Sequence, residues 1–384
     1  MKSYLQLHSR RDSYLPLIAN YASHSHNRRS LYHTIIIIVS VALNVCFLYH
    51  YFNHPKLPPP LRNPLNHYQS LNPFPLVTDD VLSTSLAPQF FNPDEHAVVT
   101  TLYTDAFAPA VATLGHSLRK ADVSARLILL YLPEKVSPSA LCVATSSGFI
   151  PQPVSRIPPP KNGDGAHPHF LDQFTKLTLW KLDQQGIKSL VYLDADTLVR
   201  RNFDELFALP FNFAAVPDVY TDHNGYILGF NAGVLFIRTS TTVFNQMVSK
   251  IEHADFPLLE AEQSYLNHYF GAEVVRLPYA YNGNLAIKRR SPEMWKNTTE
   301  ERRIVHFTWP KPFLQGDYER VPWYNLEEKV MEVSTWEDGL WKEEMLWWGD
   351  MFKEMKHIYR STLKQCFRQP KSKQVASATS PTTS

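Results

Sequence analysis

Two aspartates one residue apart, Asp194 and Asp196, directly follow a short apolar run and have the residue types needed for metal chemistry. The run, residues 190–193, is bulky and β-prone, as expected of a strand covered on both faces. Side chains at i and i+2 of an extended segment leave the same face, so we expect both carboxylates to meet at the strand's carboxyl end, where α/β sheets bind ligands. Mg²⁺ and Mn²⁺ prefer such oxygen ligands and share their remaining positions with phosphates. The pair predicts a metal-bridged diphosphate, although an isolated Asp-x-Asp could also solvate a turn.

Polar residues in three later segments extend this hypothesis. Asn231 starts a predicted strand, residues 230–238, whose small neighbours Ala232 and Gly233 permit close approach of a ligand or suit a tight bend. A predicted helix, residues 260–269, contains Glu262 and Gln263. His306 lies near the end of a predicted strand, residues 302–307, and Lys311 follows five residues later. One imidazole could complete a hard-metal site, and one ammonium could neutralise a leaving phosphate.

The elements that must position these residues alternate between strands and helices. Residues 96–103 and 126–132 predict buried strands, Asp105 is placed to cap the helix between them, and residues 138–147 predict another helix. This alternation predicts an α/β domain with a mostly parallel sheet flanked by helices. Residues 151–170, rich in Pro, Gly and His, predict a long loop whose His167 and His169 are solvated rather than metal-bound. Lys176, on a predicted helix over 172–185, is either a phosphate partner or a solvated charge, and composition favours the solvated charge.

Composition limits the class of protein. The chain has 384 residues and a formal net charge of +2, so it has no polybasic field for nucleic acid. Its three cysteines are too few for a disulfide scaffold, and Cys142 and Cys366 could pair only if the fold brings them together.

The amino-terminal region predicts a membrane anchor. Residues 34–52 are apolar and long enough to cross a bilayer as a helix. Residues 1–33 carry five Lys and Arg against one Asp, which predicts a cytosolic tail. Residues 53–93 contain nine prolines and predict an extended stem. A catalytic domain over 94–330 would then lie in the secretory lumen, where the sequon at Asn297 could be glycosylated.

The carboxyl-terminal region predicts helix followed by disorder. Large apolar residues recur every three or four positions over 331–366, which predicts an amphipathic helical segment packed on the domain's own core. Gly349 interrupts this stripe. Residues 367–384, rich in Lys, Ser, Thr and Pro, predict a disordered tail.

The order of the polar motifs is that of a known family. With Asp194-Ala-Asp196, Phe230-Asn-Ala-Gly233, Glu262-Gln263 and His306 through Lys311-Pro312 in sequence, residues 96–323 resemble the glycogenin-like retaining glycosyltransferases, glycosyltransferase family 8. The resemblance implies a GT-A fold, Mn²⁺ (with Mg²⁺ as the alternative), a UDP-sugar donor and retention of anomeric configuration. With the predicted anchor, it implies a single-pass type II Golgi membrane protein acting on a glycan or protein acceptor.

The resemblance also implies a role for each matching residue. The expected metal ligands are Asp194, Asp196 and His306. The expected nucleotide-binding residues are Thr101, Leu102, Tyr103 and Phe107, with Lys176 facing the phosphates and sugar. Asn231, Glu262 and Gln263 would cradle the donor sugar, and Lys311 would stabilise the departing diphosphate, so that Glu262, Gln263 and Lys311 are the expected catalytic residues. Glu262 stands where the family usually has aspartate, Trp309 stands where it usually has glycine, and the segment from His306 to Lys311 is one residue shorter than in glycogenin.

Two other functions fit part of the pattern. Asp194-Ala-Asp-Thr197 partly matches the opening of haloacid-dehalogenase phosphatases, but it lacks their spacer before the threonine and does not lie on the first predicted strand. A catalytically inactive, membrane-tethered sugar-binding protein is the other alternative.

Overall fold

The computed structural model describes residues 25–53, 92–219, 229–271, 273–316 and 318–368. The chain divides into two compact units, Met1–Asn63 and Pro64–Ser384. In the described part of the first unit, the helix α1 (Ser25–Asn53) contains the stretch Leu31–Tyr49, which is long and apolar enough to cross a membrane by length and composition. The predicted span lies within this helix. The rest of the predicted cytosolic tail, nearly all of the stem and residues 369–384 lie outside the described residues.

The second unit is built on a seven-stranded sheet in which one strand runs against the others. The strands of the chain are β1 (His96–Leu102), β2 (Arg126–Tyr131), β3 (Ile150–Pro153), β4 (Ser189–Leu193), β5 (Thr197–Val199), β6 (Phe213–Pro217), β7 (Phe230–Arg238), β8 (Val275–Arg276), β9 (Gly283–Asn284), β10 (Ile304–His306), β11 (Leu314–Gln315) and β12 (Glu319–Arg320). The large sheet has the order β3-β2-β1-β4-β7-β6-β8, and only β7 pairs antiparallel with both of its neighbours. The mostly parallel α/β sheet is confirmed.

Helices cover both faces of this sheet. They are α2 (Ala108–Lys120), α3 (Pro138–Thr145), α4 (Thr241–Lys250), α5 (Ala261–Phe270), α6 (Leu285–Arg290), α7 (Pro292–Asn297), α8 (Leu326–Ser334), the single turn α9 (Trp336–Gly339), α10 (Lys342–Ile358) and α11 (Arg360–Arg368). Alternate residues of β1 enter different cores, because successive side chains of a strand point to opposite faces. Val98 joins the core under α2 and the carboxyl-terminal helices, and Val99 joins the core on the opposite face.

A second, three-stranded sheet brings distant segments to the end of β4. Its order is β5-β10-β9, with β10 antiparallel to β5 and parallel to β9. Since β5 begins directly after Asp196, this small sheet anchors residues near 284 and 306 beside the two aspartates.

The carboxyl-terminal helices pack on the core, as predicted. The apolar stripe of α10, which includes Met345, Trp348 and Phe352, is buried against the domain. Gly349 does not interrupt this helix; it allows close packing, because a Cβ there would lie 2.9 Å from Cγ1 of Val330 in α8. A disulfide between Cys142 of α3 and Cys366 of α11 fastens the last described helix to the domain.

The predicted helix over 172–185 is present as a 3₁₀-helix, Gln173–Gln185, ended by Gly186 with φ +79°. Two local predictions are wrong. Asp105 does not cap α2; its Oδ1 accepts a hydrogen bond from the backbone N–H of Ser137 at 2.8 Å. The first residues of the predicted loop over 151–170 belong to the edge strand β3, because Ile150–Pro153 pairs with β2.

Candidate active site

Because β7 runs antiparallel to β4, its first residues lie beside the last residue of β4. Leu193 pairs with Val234, and the backbone N–H of Asp194 donates to the carbonyl of Gly233 at 2.8 Å. The polar start of one strand and the acidic end of its neighbour therefore share one edge of the sheet. A parallel neighbour would have placed its amino-terminal residues at the opposite edge.

The two aspartates converge, but through a turn and not through strand alternation. Asp194 and Asp196 bracket the turn between β4 and β5, in which Thr197 N–H and Oγ1–H both donate to the carbonyl of Asp194, at 3.0 and 2.8 Å. The expected meeting of the carboxylates is confirmed, since ligand atoms of Asp194, Asp196 and His306 all lie within 4.8 Å of one another. The extended-strand geometry proposed for it is wrong.

His306 reaches the aspartates through the small sheet. The backbone N–H of Phe307 donates to the carbonyl of Asp196 at 2.9 Å. This anchor leaves Nε2 of His306 at 3.2 Å from Oδ1 of Asp196 and 3.9 Å from Oδ2 of Asp194. The other ring nitrogen, Nδ1, lies 3.0 Å from Oδ1 of Asn282, so a proton on Nδ1 leaves the Nε2 lone pair facing the carboxylates.

Gly233 makes room for this imidazole. A Cβ on Gly233 would lie only 2.1 Å from Cε1 of His306. Asn231 Oδ1 accepts hydrogen bonds from Gly233 N–H at 3.0 Å and from Asn282 Nδ2 at 2.9 Å, which ties the start of β7 to the residue that orients the ring. The small residue noted in the sequence therefore serves the packing of a polar side chain.

Lys176 is buried, and its interpretation as a solvated helix charge is wrong. Its side chain is 2% exposed, and Nζ donates to Oε1 of Glu262 at 2.6 Å and to Oδ1 of Asp194 at 3.2 Å. Burial alone would lower the pKa of Lys176, but Asp194 and Glu262 hold that pKa above its usual value. Burial raises the pKa of Glu262 in spite of this ammonium. The lysine thus links Asp194 at the end of β4 to Glu262 on α5.

Lys311 forms a second buried ion pair, with Oδ2 of Asp196. Burial would raise the pKa of Asp196, yet Lys311 and His306 hold it well below its usual range. Burial would lower the pKa of Lys311, and Asp196 keeps it raised. Both groups are therefore charged at neutral pH, and the ammonium lies directly beside the cluster of Asp194, Asp196 and His306.

A network of polar side chains follows at the other end of the site. Gln263 Oε1 accepts from the backbone N–H of Ala232 at 2.9 Å and from Asn231 Nδ2 at 3.3 Å. Its Nε2 donates to Oδ2 of Asp218 at 3.2 Å. Ala261, between Glu260 and Glu262, has φ +48° and is fully buried, a backbone conformation that L-residues rarely adopt and that the surrounding packing must hold.

These groups line one cavity of about 340 Å³. Its lining residues are Thr101, Tyr103, Thr104, Phe107, His169, Phe170, Asp172, Gln173, Lys176, Asp194, Ala195, Asp196, Asp218, Asn231, Ala232, Glu260, Glu262, Gln263, His306, Thr308, Lys311 and Tyr318. All predicted site residues except Leu102 are in this set. The Leu102 side chain is buried in the core under α2, so any contact of Leu102 with a ligand must use its backbone. Trp309 points elsewhere and packs against Trp336 with ring centroids 5.9 Å apart.

Sequence reasoning missed several lining or orienting residues. The hydroxyl of Tyr192 donates a hydrogen bond to Oδ1 of Asp194 at 2.6 Å and lies 3.0 Å from Oγ1 of Thr101. In the sequence, Tyr192 looks like an ordinary member of the apolar run over 190–193. Asn282 lies in Tyr281-Asn-Gly-Asn284, a turn-like motif that gives no hint of a histidine 24 residues later. Asp218 follows β6 directly and could have been found as another acidic strand end.

The comparisons with known proteins agree with this site. The sequence model of the family described as "Glycosyl transferase family 8" matches residues 166–313, which include both aspartates, His306 and Lys311. This part of the chain is similar to glycosyltransferase family 8. The chain is 28% identical to mouse glycogenin-1 over 272 residues, covering 66% of this chain and 74% of that protein. It is 26% identical to galactinol synthase 2 of Arabidopsis thaliana over 306 residues, covering 71% and 88%.

Glycogenin of Neurospora crassa is matched over a smaller part of its length: it is 29% identical over 229 residues, which are 58% of this chain but 32% of that protein. Among solved structures, the galactosyltransferase LgtC in complex with donor and acceptor sugar analogs is 19% identical, with a TM-score of 0.41 and coverage of 64% of this chain and 99% of that one. The family 8 match over residues 166–313, together with the mostly parallel sheet of this chain, confirms the GT-A fold class and supports glycosyl transfer as the activity.

The cluster of Asp194, Asp196 and His306 suits a divalent cation. Two carboxylates and an imidazole with an oriented lone pair are a donor set that Mn²⁺ or Mg²⁺ accepts. The carboxylates of Asp194, Asp196 and Glu262 are paired with only two ammonium groups, those of Lys176 and Lys311. The described ion pairs therefore carry a net negative charge. A bound divalent ion would balance that charge.

Proposed function

We propose that this protein is a Mn²⁺-dependent, retaining glycosyltransferase that moves a sugar from a UDP-sugar to a glycan or protein acceptor in the Golgi lumen. The convergence of Asp194, Asp196 and His306 with the buried Lys311 at one end of a cavity carries this proposal. A diphosphate needs a concentrated positive field, and these residues supply a cation site and an ammonium side by side.

Each end of the cavity has a distinct task in this proposal. Thr101, Tyr103 and Phe107 would hold the nucleotide base, and Asn231, Glu262 and Gln263 would bind hydroxyl groups of the donor sugar. When bound, the cation would neutralise negative charge on the diphosphate. Lys311 would donate a hydrogen bond to a phosphate oxygen as negative charge grows during cleavage, and this stabilises the transition state more than the ground state. Lys176 would hold the side chains of Asp194 and Glu262 in place through its two ion pairs.

Three features support a luminal catalytic unit. The helix α1 contains one stretch able to span a bilayer. The Cys142–Cys366 disulfide belongs in an oxidising compartment, because thiols stay reduced in the cytosol. The sequon residue Asn297 is exposed at the end of α7, where an oligosaccharide could be attached. A shift in electrophoretic mobility after enzymatic removal of N-glycans, lost in Asn297→Gln, would test this placement.

The catalytic proposal is tested by UDP release from a panel of UDP-sugars with the full chain in detergent micelles. We expect release from one donor with Mn²⁺ and none with chelator. Asp196→Ala and His306→Ala should abolish turnover while the circular dichroism spectrum stays that of the wild type. Mn²⁺-dependent UDP binding without release from any donor would instead identify a catalytically inactive binding protein. Release that persists undiminished with chelator would overturn the metal site.

A further inference from the structure

An aromatic cluster on the cavity wall takes no part in the chemistry described so far. His169, Phe170 and Tyr318 all line the cavity. The rings of His169 and Tyr318 stack with centroids 4.3 Å apart and planes 21° apart, and Phe170 meets Tyr318 edge-on at 6.5 Å. Each of the three side chains is partly exposed, so the cluster presents aromatic surface to whatever enters the cavity.

The strands on either side of Tyr318 are anchored in the core. Strands β11 and β12 pair Leu314 with Arg320, and the buried residues Leu314 and Val321 anchor the hairpin in the core. Tyr318 itself has φ +64°, in the left-handed region that aromatic residues rarely occupy. Backbone strain of this kind persists only where the surrounding structure holds it, and it concentrates at functional sites. The hairpin lies beyond residue 313, where the family match ends.

Net retention fixes which side of the donor an acceptor must occupy. In the proposed reaction the bond from the anomeric carbon to the phosphate oxygen breaks, and the bonding electrons leave with the diphosphate. A bond from the same carbon to an acceptor oxygen forms, and the hydroxyl proton leaves with the diphosphate. Because the new bond ends on the face from which the diphosphate departs, the acceptor site must border the diphosphate site. Lys311 marks that site, and Tyr318 follows it in the same segment and lines the same cavity.

We propose that Tyr318, backed by His169, is the platform on which a pyranose ring of the acceptor packs. An aromatic face carries negative charge density, and the axial C–H groups of a pyranose present a weakly positive, apolar surface that complements it. The stacked imidazole supports one face of the phenol ring, and the sugar would pack on the opposite face. This inference rests on the proposed glycosyl transfer and adds to it a class of acceptor and the residues that select it.

The test uses the full chain in detergent micelles, its UDP-sugar donor, and methyl glycosides of glucose, galactose and xylose as acceptor probes. We expect at least one glycoside to accelerate UDP release by the wild type. Tyr318→Ala and His169→Ala should each raise the KM for that glycoside by about tenfold, which is more than they raise the KM for the donor. Tyr318→Phe keeps the ring and should behave as the wild type. Tyr324→Ala removes a tyrosine that is 82% exposed and not part of the cavity lining, and it serves as the matched control.

Three results would overturn the inference. An unchanged glycoside KM in Tyr318→Ala would exclude the platform. If Tyr318→Ala raised the KM for the donor as much as the KM for the glycoside, the Tyr318 ring would contact the donor and not the acceptor. A wild-type enzyme that releases UDP but is accelerated by none of the glycosides would show that the site does not take a pyranose. Failure of the proposed function is a separate result, because the wild type would then release no UDP from any donor.

Discussion

Replacing Gly233 with alanine should remove the metal site through a single methyl group. The added Cβ would lie 2.1 Å from Cε1 and 2.7 Å from Nδ1 of His306, and 2.9 Å from Oδ1 of Asn231. Ordinary carbon contacts begin at about 3.5 Å, so the imidazole would have to retreat by more than about 1 Å. The backbone of β7 cannot move away instead. The carbonyl of Gly233 accepts a hydrogen bond from the backbone N–H of Asp194, and Val234 pairs with Leu193 of β4.

This displacement of the His306 imidazole is larger than a metal site tolerates. Ligand distances in such sites vary by only about 0.2 Å, and disturbing the groups that orient a ligand costs roughly 10–100-fold in metal affinity. Since Gly233→Ala displaces His306 itself, we expect at least the upper end of that range, about 100-fold. Overpacking should also lower the free energy of unfolding by about 1–3 kcal/mol. Titration of Mn²⁺ in the presence of UDP, followed by the electron paramagnetic resonance signal of free Mn²⁺, measures the affinity.

Gly349→Ala is the matched control for this experiment. Its added Cβ would meet Cγ1 of Val330 at 2.9 Å, so it overpacks the contact between α8 and α10 in a comparable way. This variant should lose stability and keep the wild-type affinity for Mn²⁺. Wild-type Mn²⁺ affinity in Gly233→Ala would refute the assignment of the histidine beside it as a ligand. Equal loss of affinity in both variants would show that the effect comes from general destabilisation.

Three further perturbations test other parts of the site and the fold. Asn282→Ala removes the oxygen that orients the imidazole, so Mn²⁺ affinity should fall by about 10–100-fold, and Asn282→Asp, which retains an oxygen acceptor, should recover most of it in the same titration. Lys176→Met leaves the buried Glu262 without its ammonium partner, so the free energy of unfolding in urea should fall by about 3–5 kcal/mol. Adding Glu262→Gln to this variant should restore part of that loss, and an unchanged loss would contradict this explanation. Cys366→Ser should lower the free energy of unfolding by about 2–5 kcal/mol, and a denaturation midpoint equal to that of the wild type would show that the disulfide is dispensable.

The long strands of the central sheet could be predicted from the sequence because their signal is local. The predicted strand over 230–238 agrees with β7 to the residue, since its apolar run ends at the charged Arg238. The convergence of Asp194, Asp196 and His306 could be predicted only through the order of motifs that the family shares. Nothing local to Asp194 indicates that a residue 112 positions later completes its site.

The residues that sequence reasoning placed wrongly or missed depend on distant partners. Lys176 looks like a solvated helix charge because its burial is balanced by Asp194 and Glu262, which are 18 and 86 residues away. Asn282 precedes a strand of only two residues, β9, which is too short to show any periodicity. The pairing of Cys142 with Cys366 needed the packing of α3 against α11, which no spacing rule contains.

The disulfide between Cys142 and Cys366 spans 224 residues, and this distance has a consequence for biosynthesis. A chain is synthesised from its amino terminus, so the second cysteine follows the whole cavity-forming region, from Thr101 to Tyr318. A polypeptide interrupted after α3 and before that cysteine keeps an unpaired thiol on α3, whereas a chain synthesised through α11 can join both sulfurs in one bond. In an oxidising compartment the bridge would therefore distinguish chains that have been synthesised and folded through α11 from interrupted ones.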